Sequence, residues 1–385
     1  MAIVSNEFFD LAIGRMGGFG WAARQVARCF NDDPGLGVEP VFVSFEHRGE
    51  KDLISHDTRL ITVNDSVFAH YRRIRQEKFD LLLMIDYRAS YRRLFAMLPK
   101  TPIIVWARDP RTLTNNKTVR AIEIPGHEGS PIPGAGSSRA NFILDYMMKA
   151  SAVIGRGVQV GYTANFLKPR IEESYHVRLT EKNSVLLPNI VDMKPPQLQR
   201  SSRPKFAFLG RLDPYKRPWL FMEIAEKMPE AEFVVMGQSH FGKSGWQPDS
   251  VPANVRLVGH TDEEDKTREL ATSWAIVNTS VHEGLAVSLL EALKCETPVV
   301  ASVDPEELTS RYGIYVGNFP GSGRESISKF VEALTKISQD MELRDRLGRE
   351  GREWLENLHN KQRFLSAFST LCDRLSIDHF AQADQ

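Results

Sequence analysis

The chain has 385 residues, 42% apolar and 25% charged, with 49 basic side chains against 49 acidic ones. A formal net charge of zero argues against a protein held on nucleic acid by bulk electrostatics, which needs a basic surplus. The length sets an expectation of two domains, or three. The three cysteines, Cys29, Cys295 and Cys372, lie far apart and fit neither a disulfide framework nor a metal-ligand spacing. They point to a reducing, cytoplasmic compartment. The first residues lack a basic stretch followed by an apolar one, so no secretory leader is expected. No apolar run approaches the ~18 residues that span a bilayer. Peripheral attachment to the inner face of a membrane is left open.

In chain order, the first feature is 14–23, GRMGGFGWAA. Gly17, Gly18 and Gly20 precede an amphipathic pattern running to about Phe30, and glycine-rich backbone at a helix start lets a phosphate approach. Gly18 to Ala23 also fits G-x-G-x-x-A, with Glu46 ending the following strand. That match is weak, because the apolar run before it is short and lies well upstream. Short Val/Ile/Leu-rich runs follow at 40–45, 81–85, 103–106, 152–154 and 184–187. Continuous rather than alternating, they read as strands buried on both faces, with helical patterns between them. The segment 108–138 is rich in Gly, Pro, Ser and Thr and reads as a long loop of the functional kind. Its His127 reads as an exposed loop histidine or an acceptor contact.

Four prolines between 187 and 204, flanking the polar run QLQRSSR, mark an interdomain connection. A second series of strands is expected at 206–209, 233–236, 256–258, 275–278, 299–301 and 314–316. The first of these runs into FAFLGRLDPYKRP, which places Gly210, Arg211 and Lys216 on the loop beyond a buried strand. Two cations there suit a diphosphate, through charge-assisted hydrogen bonds of ~1.5–3 kcal/mol each. The run DEED at 262–265 reads as an acidic helix start. Then comes TSVHEGLAVSLLEALKCETPVV at 279–300. Here a strand turns at Glu283 and Gly284 into a helix beginning near Ala286, whose first amides would form an anion site. Glu283 and Glu291 flank that site, as two ends of a ligand with central phosphates and outer hydroxyls require. A cap and a surface residue are the plainer alternatives. The chain closes with an amphipathic stretch at 361–375, with Phe364, Phe368, Leu371 and Leu375 on one face.

Together, the E-x7-E spacing of Glu283 and Glu291, the pair Arg211 and Lys216, the Gly17-Gly18 loop and the run PNIVD at 188–192 resemble the retaining glycosyltransferases of family GT4 (group 1). The resemblance implies an α/β fold of the GT-B type: two Rossmann-like, doubly wound domains facing each other across a cleft. It implies an acceptor-side domain at 1–195, a nucleotide-sugar domain at 196–360, and a final helix, 361–385, crossing back to the first domain. It implies net retention of anomeric configuration and, as a rule, no metal. Carried over residue by residue, Glu283 would bind donor-sugar hydroxyls and Glu291 the ribose. Arg211 and Lys216 would hold the diphosphate. Backbone at Gly17, Gly18, Gly210, Gly284, Leu285, Ala286, Val287 and Ser288 would assist, and Val258 and His260 would contact the base. Where many members have His-Asp, this chain has Arg108-Asp109, so Arg108 would meet phosphate, sugar or acceptor, with Asp109 orienting it.

The expected activity is glycosyl transfer from a UDP- or GDP-linked sugar, a co-substrate rather than a cofactor, to a hydroxyl acceptor on a glycan, a lipid-linked species or a small molecule. Three rivals remain. An NAD(P)-dependent oxidoreductase rests on Gly18 to Ala23 alone, and a nucleotide-sugar epimerase would need no acceptor. A non-catalytic binding subunit would explain Arg108.

Overall fold

The computed structural model of the protein describes residues 1–7, 17–44, 52–62, 67–88, 91–127, 132, 144–193, 198–239 and 246–377. Glu46 and part of the 14–23 segment lie outside them. The chain forms two compact units. The first comprises Met1–Thr112, Ser137–Ile190 and His359–Gln385; the second comprises Leu113–Gly136 and Val191–Leu358. The chain therefore changes unit four times, where the sequence led us to expect changes near 195 and 360.

The first unit begins with strand β1 (Ala2–Val4), helix α1 (Gly18–Asn31), β2 (Val41–Ser44), β3 (Asp52–Ser55), β4 (Thr58–Thr62), α2 (Val67–Gln76), β5 (Leu82–Ile85), α3 (Arg92–Met97) and β6 (Ile103–Ala107). Helix α4 (Leu113–Arg120) lies in the second unit, after which the first resumes with α5 (Leu144–Val153), β7 (Val158–Tyr162), α6 (Leu167–Tyr175) and β8 (Ser184–Leu186). Its sheet runs β3-β4-β2-β1-β5-β6-β7-β8. All pairings are parallel except the β3–β4 hairpin at one edge. The order reverses at β1, a three-residue strand that the sequence pattern did not reveal. The strand expected at 152–154 falls instead at the end of α5, where Val153 and Ile154 are exposed rather than buried in a sheet; the strand lies at Val158–Tyr162.

The second unit continues with β9 (Lys205–Leu209), α7 (Pro218–Glu226), β10 (Glu232–Met236), β11 (Val255–Gly259), α8 (Glu263–Thr272), β12 (Ala275–Asn278), α9 (Val287–Lys294), β13 (Val299–Ala301), α10 (Leu308–Tyr312), β14 (Gly313–Tyr315), α11 (Ile327–Gln339) and α12 (Met341–Leu358). The all-parallel order is β11-β10-β9-β12-β13-β14. Numbered within the unit, this is 3-2-1-4-5-6, the Rossmann order, whose switch point lies between β9 and β12. β9 and β12 are buried on both faces, apart from a partly buried Leu209, as continuous apolar runs require.

Two packing arrangements cross the sequence order. The 108–138 segment is not a loop throughout: α4 is helical, and Val119, Ile122 and Ile124 are buried in the second unit's core beside Phe206, Phe221 and Val316. Helix α13 (Lys361–Arg374) belongs to the first unit. There Phe364 and Phe368 are fully buried, their rings 5.6 Å from those of Trp106 and Phe30 respectively. No helix among the described residues is long and apolar enough to cross a membrane.

Candidate active site

The residues singled out in 210–216 and 283–288 meet in the second unit, on the loops that leave β9 and β12 at the switch point. Doubly wound sheets bind ligands beyond the carboxyl ends of their strands, at this place above all. The loop after β9 is fixed by close backbone packing. Gly210 donates to Met236 O (3.0 Å) and Leu212 to Gln238 O (3.1 Å). Gly237, at φ +143°, leaves no room for a side chain: a Cβ would lie 1.9 Å from Gly210 O.

Arg211 Nε pairs with Asp213 Oδ2 at 3.0 Å, and its Nη2 donates to the Tyr215 hydroxyl. Asp213 is 1% exposed. Lys216 Nζ forms an ion pair with Glu283 Oε1, which also accepts from Ser280 Oγ (2.6 Å) and Asn278 Nδ2 (3.3 Å). Burial works against the Lys216 charge, but Glu283 outweighs it and the ammonium pKa is raised. The side chains are 13% and 9% exposed. A cation and an anion thus face one another at the switch point, each at the edge of solvent.

Below this pair lies Arg217, which the sequence reading passed over. It is fully buried, in the left-handed region at φ 47°, and no carboxylate among the described residues pairs with it. Its guanidinium donates to Thr279 O (2.9 Å), Phe319 O (2.7 Å), Asn318 Oδ1 (3.2 Å) and Ser280 O (3.5 Å). Burial pushes its pKa down to about 10. Thr279 Oγ1 returns bonds to Lys216 O (2.6 Å) and Arg217 O (3.0 Å).

Gly284, Leu285 and Ala286 carry the chain into α9. Ala286 gives that helix no side-chain cap, and Val287 and Ser288 are half-exposed at its first turn. Amides in a first turn have no acceptor within their own helix. Glu291, one turn on, is not a surface residue: it is 2% exposed, and its Oε2 pairs with Lys266 Nζ of α8 at 2.7 Å. Lys266, itself 3% exposed, also meets Glu263 at 3.2 Å. Burial lowers its pKa, but Glu291 and Glu263 more than reverse that. Val258 and His260 are half-buried at the end of β11, and burial, then Lys266, lowers the His260 pKa. The acidic run at 262–265 starts α8, with Asp262 Oδ1 accepting from the Asp265 amide at 2.8 Å.

In the first unit, Arg108 is 5% exposed. Asn189 Oδ1 accepts from its Nη2 (2.7 Å), and its guanidinium lies 4.5 Å from the Trp106 ring centre. Asp109 does not orient it. Asp109 pairs instead with Arg111, at 3.2 Å. Burial pushes the Arg108 pKa down to about 9. The α1 start, where a phosphate was expected, holds a carboxylate of the chain itself: the Phe19 amide donates to Glu7 Oε2 at 3.3 Å. A Cβ at Gly17 would lie 2.2 Å from that oxygen. His127 is exposed and His282 buried.

Residues 191–354, which carry the whole β9/β12 constellation, match the family model described as Glycosyl transferases group 1. This segment is a group 1 glycosyltransferase domain. Solved structures resemble the chain over nearly all its length. A sucrose-phosphate synthase from Thermosynechococcus elongatus superposes with a TM-score of 0.69 at 15% identity, over 97% of this chain and 98% of that one. HepE from Anabaena, in complex with UDP-glucose, gives 0.66 at 12% identity, over 97% and 99%. A glycosyltransferase from Rickettsia africae gives 0.65 at 14%, over 97% and 98%. The glycosyltransferase domain thus sits in a chain of GT-B fold.

Proposed function

We propose that the protein is a retaining glycosyltransferase that moves a sugar from a nucleotide diphosphate sugar to a hydroxyl acceptor. The observation that carries this reading is the Lys216–Glu283 pair at the switch point of the second unit, with Arg211 on the same loop. A donor sugar needs cations at its diphosphate and a carboxylate at its sugar hydroxyls. Arg211 and Lys216 supply the first and Glu283 the second.

The bond between the anomeric carbon and the diphosphate oxygen breaks, and its electron pair leaves on the nucleoside diphosphate. Arg211 and Lys216 stabilise that growing charge in a partly desolvated site, where fixed cations act most strongly. The acceptor oxygen bonds to the anomeric carbon on the face being vacated, and its proton passes to the departing phosphate oxygen. Glu283 contributes by holding the sugar in orientation. The Val287 and Ser288 amides would add donors for phosphate, and Glu291, held by Lys266, would take the ribose hydroxyls. With cationic side chains meeting the leaving group, the reaction is proposed to need no metal.

HepE was captured with UDP-glucose, which supports trying UDP-linked donors first, with GDP-linked ones beside them. Glu7 at the α1 start counts against the oxidoreductase reading, since a carboxylate there repels a dinucleotide pyrophosphate. The three cysteines are buried and unbridged, which supports a cytoplasmic setting. The test is transfer from a panel of UDP- and GDP-sugars, with the product's anomeric configuration read by NMR. A retained linkage is expected; an inverted one would overturn the mechanism, and no turnover of any donor would overturn the assignment.

A further inference from the structure

Arg217 lies outside every role assigned above, yet it is among the largest fully buried side chains of the molecule. A buried guanidinium without a carboxylate is costly unless its donors are met. Here they are met by groups from two separate loops: Thr279 O and Ser280 O after β12, and Phe319 O and Asn318 Oδ1 after β14. Asn318 then bonds Val281 O at 2.7 Å, tying the second loop back to the first. Gly323, at φ +77°, accommodates the guanidinium, since a Cβ there would lie 2.2 Å from Nη1. The loop so pinned is the one that carries Glu283, and Ser280 on it bonds the Glu283 carboxylate directly. The pin itself is the chain neighbour of Lys216, whose carbonyl Thr279 holds.

We infer that Arg217 is the positioning residue of the donor site: it locks the 279–281 loop so that the Glu283 carboxylate stands against Lys216. It touches no substrate and acts through Glu283. The inference rests on the proposed transfer reaction for its kinetic consequence, but not for its structural one.

The test uses Arg217→Lys in the full chain. A lysine supplies one donor centre, so it cannot hold both loops. The first readout is an NMR titration of the Lys216 ammonium, assigned with Lys216→Arg. In the native protein it is expected to titrate above the ordinary lysine value. In Arg217→Lys it is expected to fall, as Glu283 swings out of reach. The second readout is kinetic: kcat for transfer should drop at least tenfold while UDP affinity changes less than threefold. In a Glu283→Gln background, Arg217→Lys should add less than threefold.

An unmoved Lys216 titration would overturn the inference, and so would full additivity with Glu283→Gln. Should Arg217→Lys fail to fold, Asn318→Ala removes one acceptor and the Val281 tie, and must shift the Lys216 titration in the same direction. If the native protein turns over no nucleotide sugar, the functional reading fails while the titration still decides the role of Arg217.

Discussion

Replacing Glu283 by Gln removes one charge and little volume, so its effect isolates the ion pair with Lys216. The two side chains are 9% and 13% exposed, so both charges are nearly buried. Removing one partner of such a pair costs ~3–5 kcal/mol, because the remaining charge is stranded. Ser280 and Asn278 can still donate to a glutamine oxygen, which favours the low end, about 3 kcal/mol. For a cooperative unit of 150–250 residues, each kcal/mol moves Tm by roughly 2–4 °C. Glu283→Gln should therefore lower Tm by about 6–12 °C in differential scanning calorimetry. A double variant, Lys216→Met with Glu283→Gln, should recover much of that loss, since no buried charge is left over. The pH dependence has a definite sign. The folded-state pKa of Lys216 is raised, so the pair's contribution is complete below the unfolded lysine pKa of ~10.4 and fades as pH rises through the folded value. Glu283→Gln should flatten the native protein's stability loss in that alkaline window. A single variant as stable as the native protein, or a double variant worse than both singles, would refute the reasoning.

Three further outcomes follow from buried groups elsewhere. His359, buried and held neutral with a pKa pushed down to about 3 by burial and then by Arg108, takes up a proton on unfolding between about pH 6.5 and 3. Its replacement by Asn should reduce the slope of unfolding free energy against pH there by up to ~1.4 kcal/mol per unit, measured by urea denaturation. Lys266→Met removes the cation paired with the buried Glu291; it should cost ~3 kcal/mol or more and weaken nucleoside diphosphate binding by calorimetry, and unchanged binding would take Glu291 out of the donor site. Glu7→Gln weakens the charge at the α1 start and should cost about 0.3–2 kcal/mol in urea unfolding, with no loss at all contradicting its place there.

Much of the fold could be read from local pattern. The buried strands Leu82–Ile85, Ile103–Ala107, Lys205–Leu209 and Ala275–Asn278 are continuous apolar runs, and that signal needs no partner. β1 escaped because three residues, Ala2–Val4, are too few to show a period, although it is the strand at which the first sheet reverses order. The misplaced strand at 152–154 and the helix hidden at 113–120 have one cause: local composition was read as structure, although Val153 and Ile154 are exposed and the polar run 113–120 is helical. Among the candidate site residues and the buried charges elsewhere, Arg211, Lys216 and Glu283 were legible because each stands at a fixed offset from a strand end. Arg217, Lys266 and Glu7 were not. Their meaning lies in contacts with Phe319, Glu291 and the Phe19 amide, and no local spacing announces which distant residue a buried charge will meet.

The most direct test is a thermal-shift and calorimetric titration of the native protein and Lys216→Ala with UDP- and GDP-sugars. At 100 times the dissociation constant, a ligand bound only by the native state adds about 2.7 kcal/mol of stability. At least one nucleotide sugar should raise the Tm of the native protein and leave that of Lys216→Ala unmoved at the same concentration. A panel that stabilises neither protein, or a donor that binds both equally, would contradict a nucleotide-sugar site at the β9–β12 switch point.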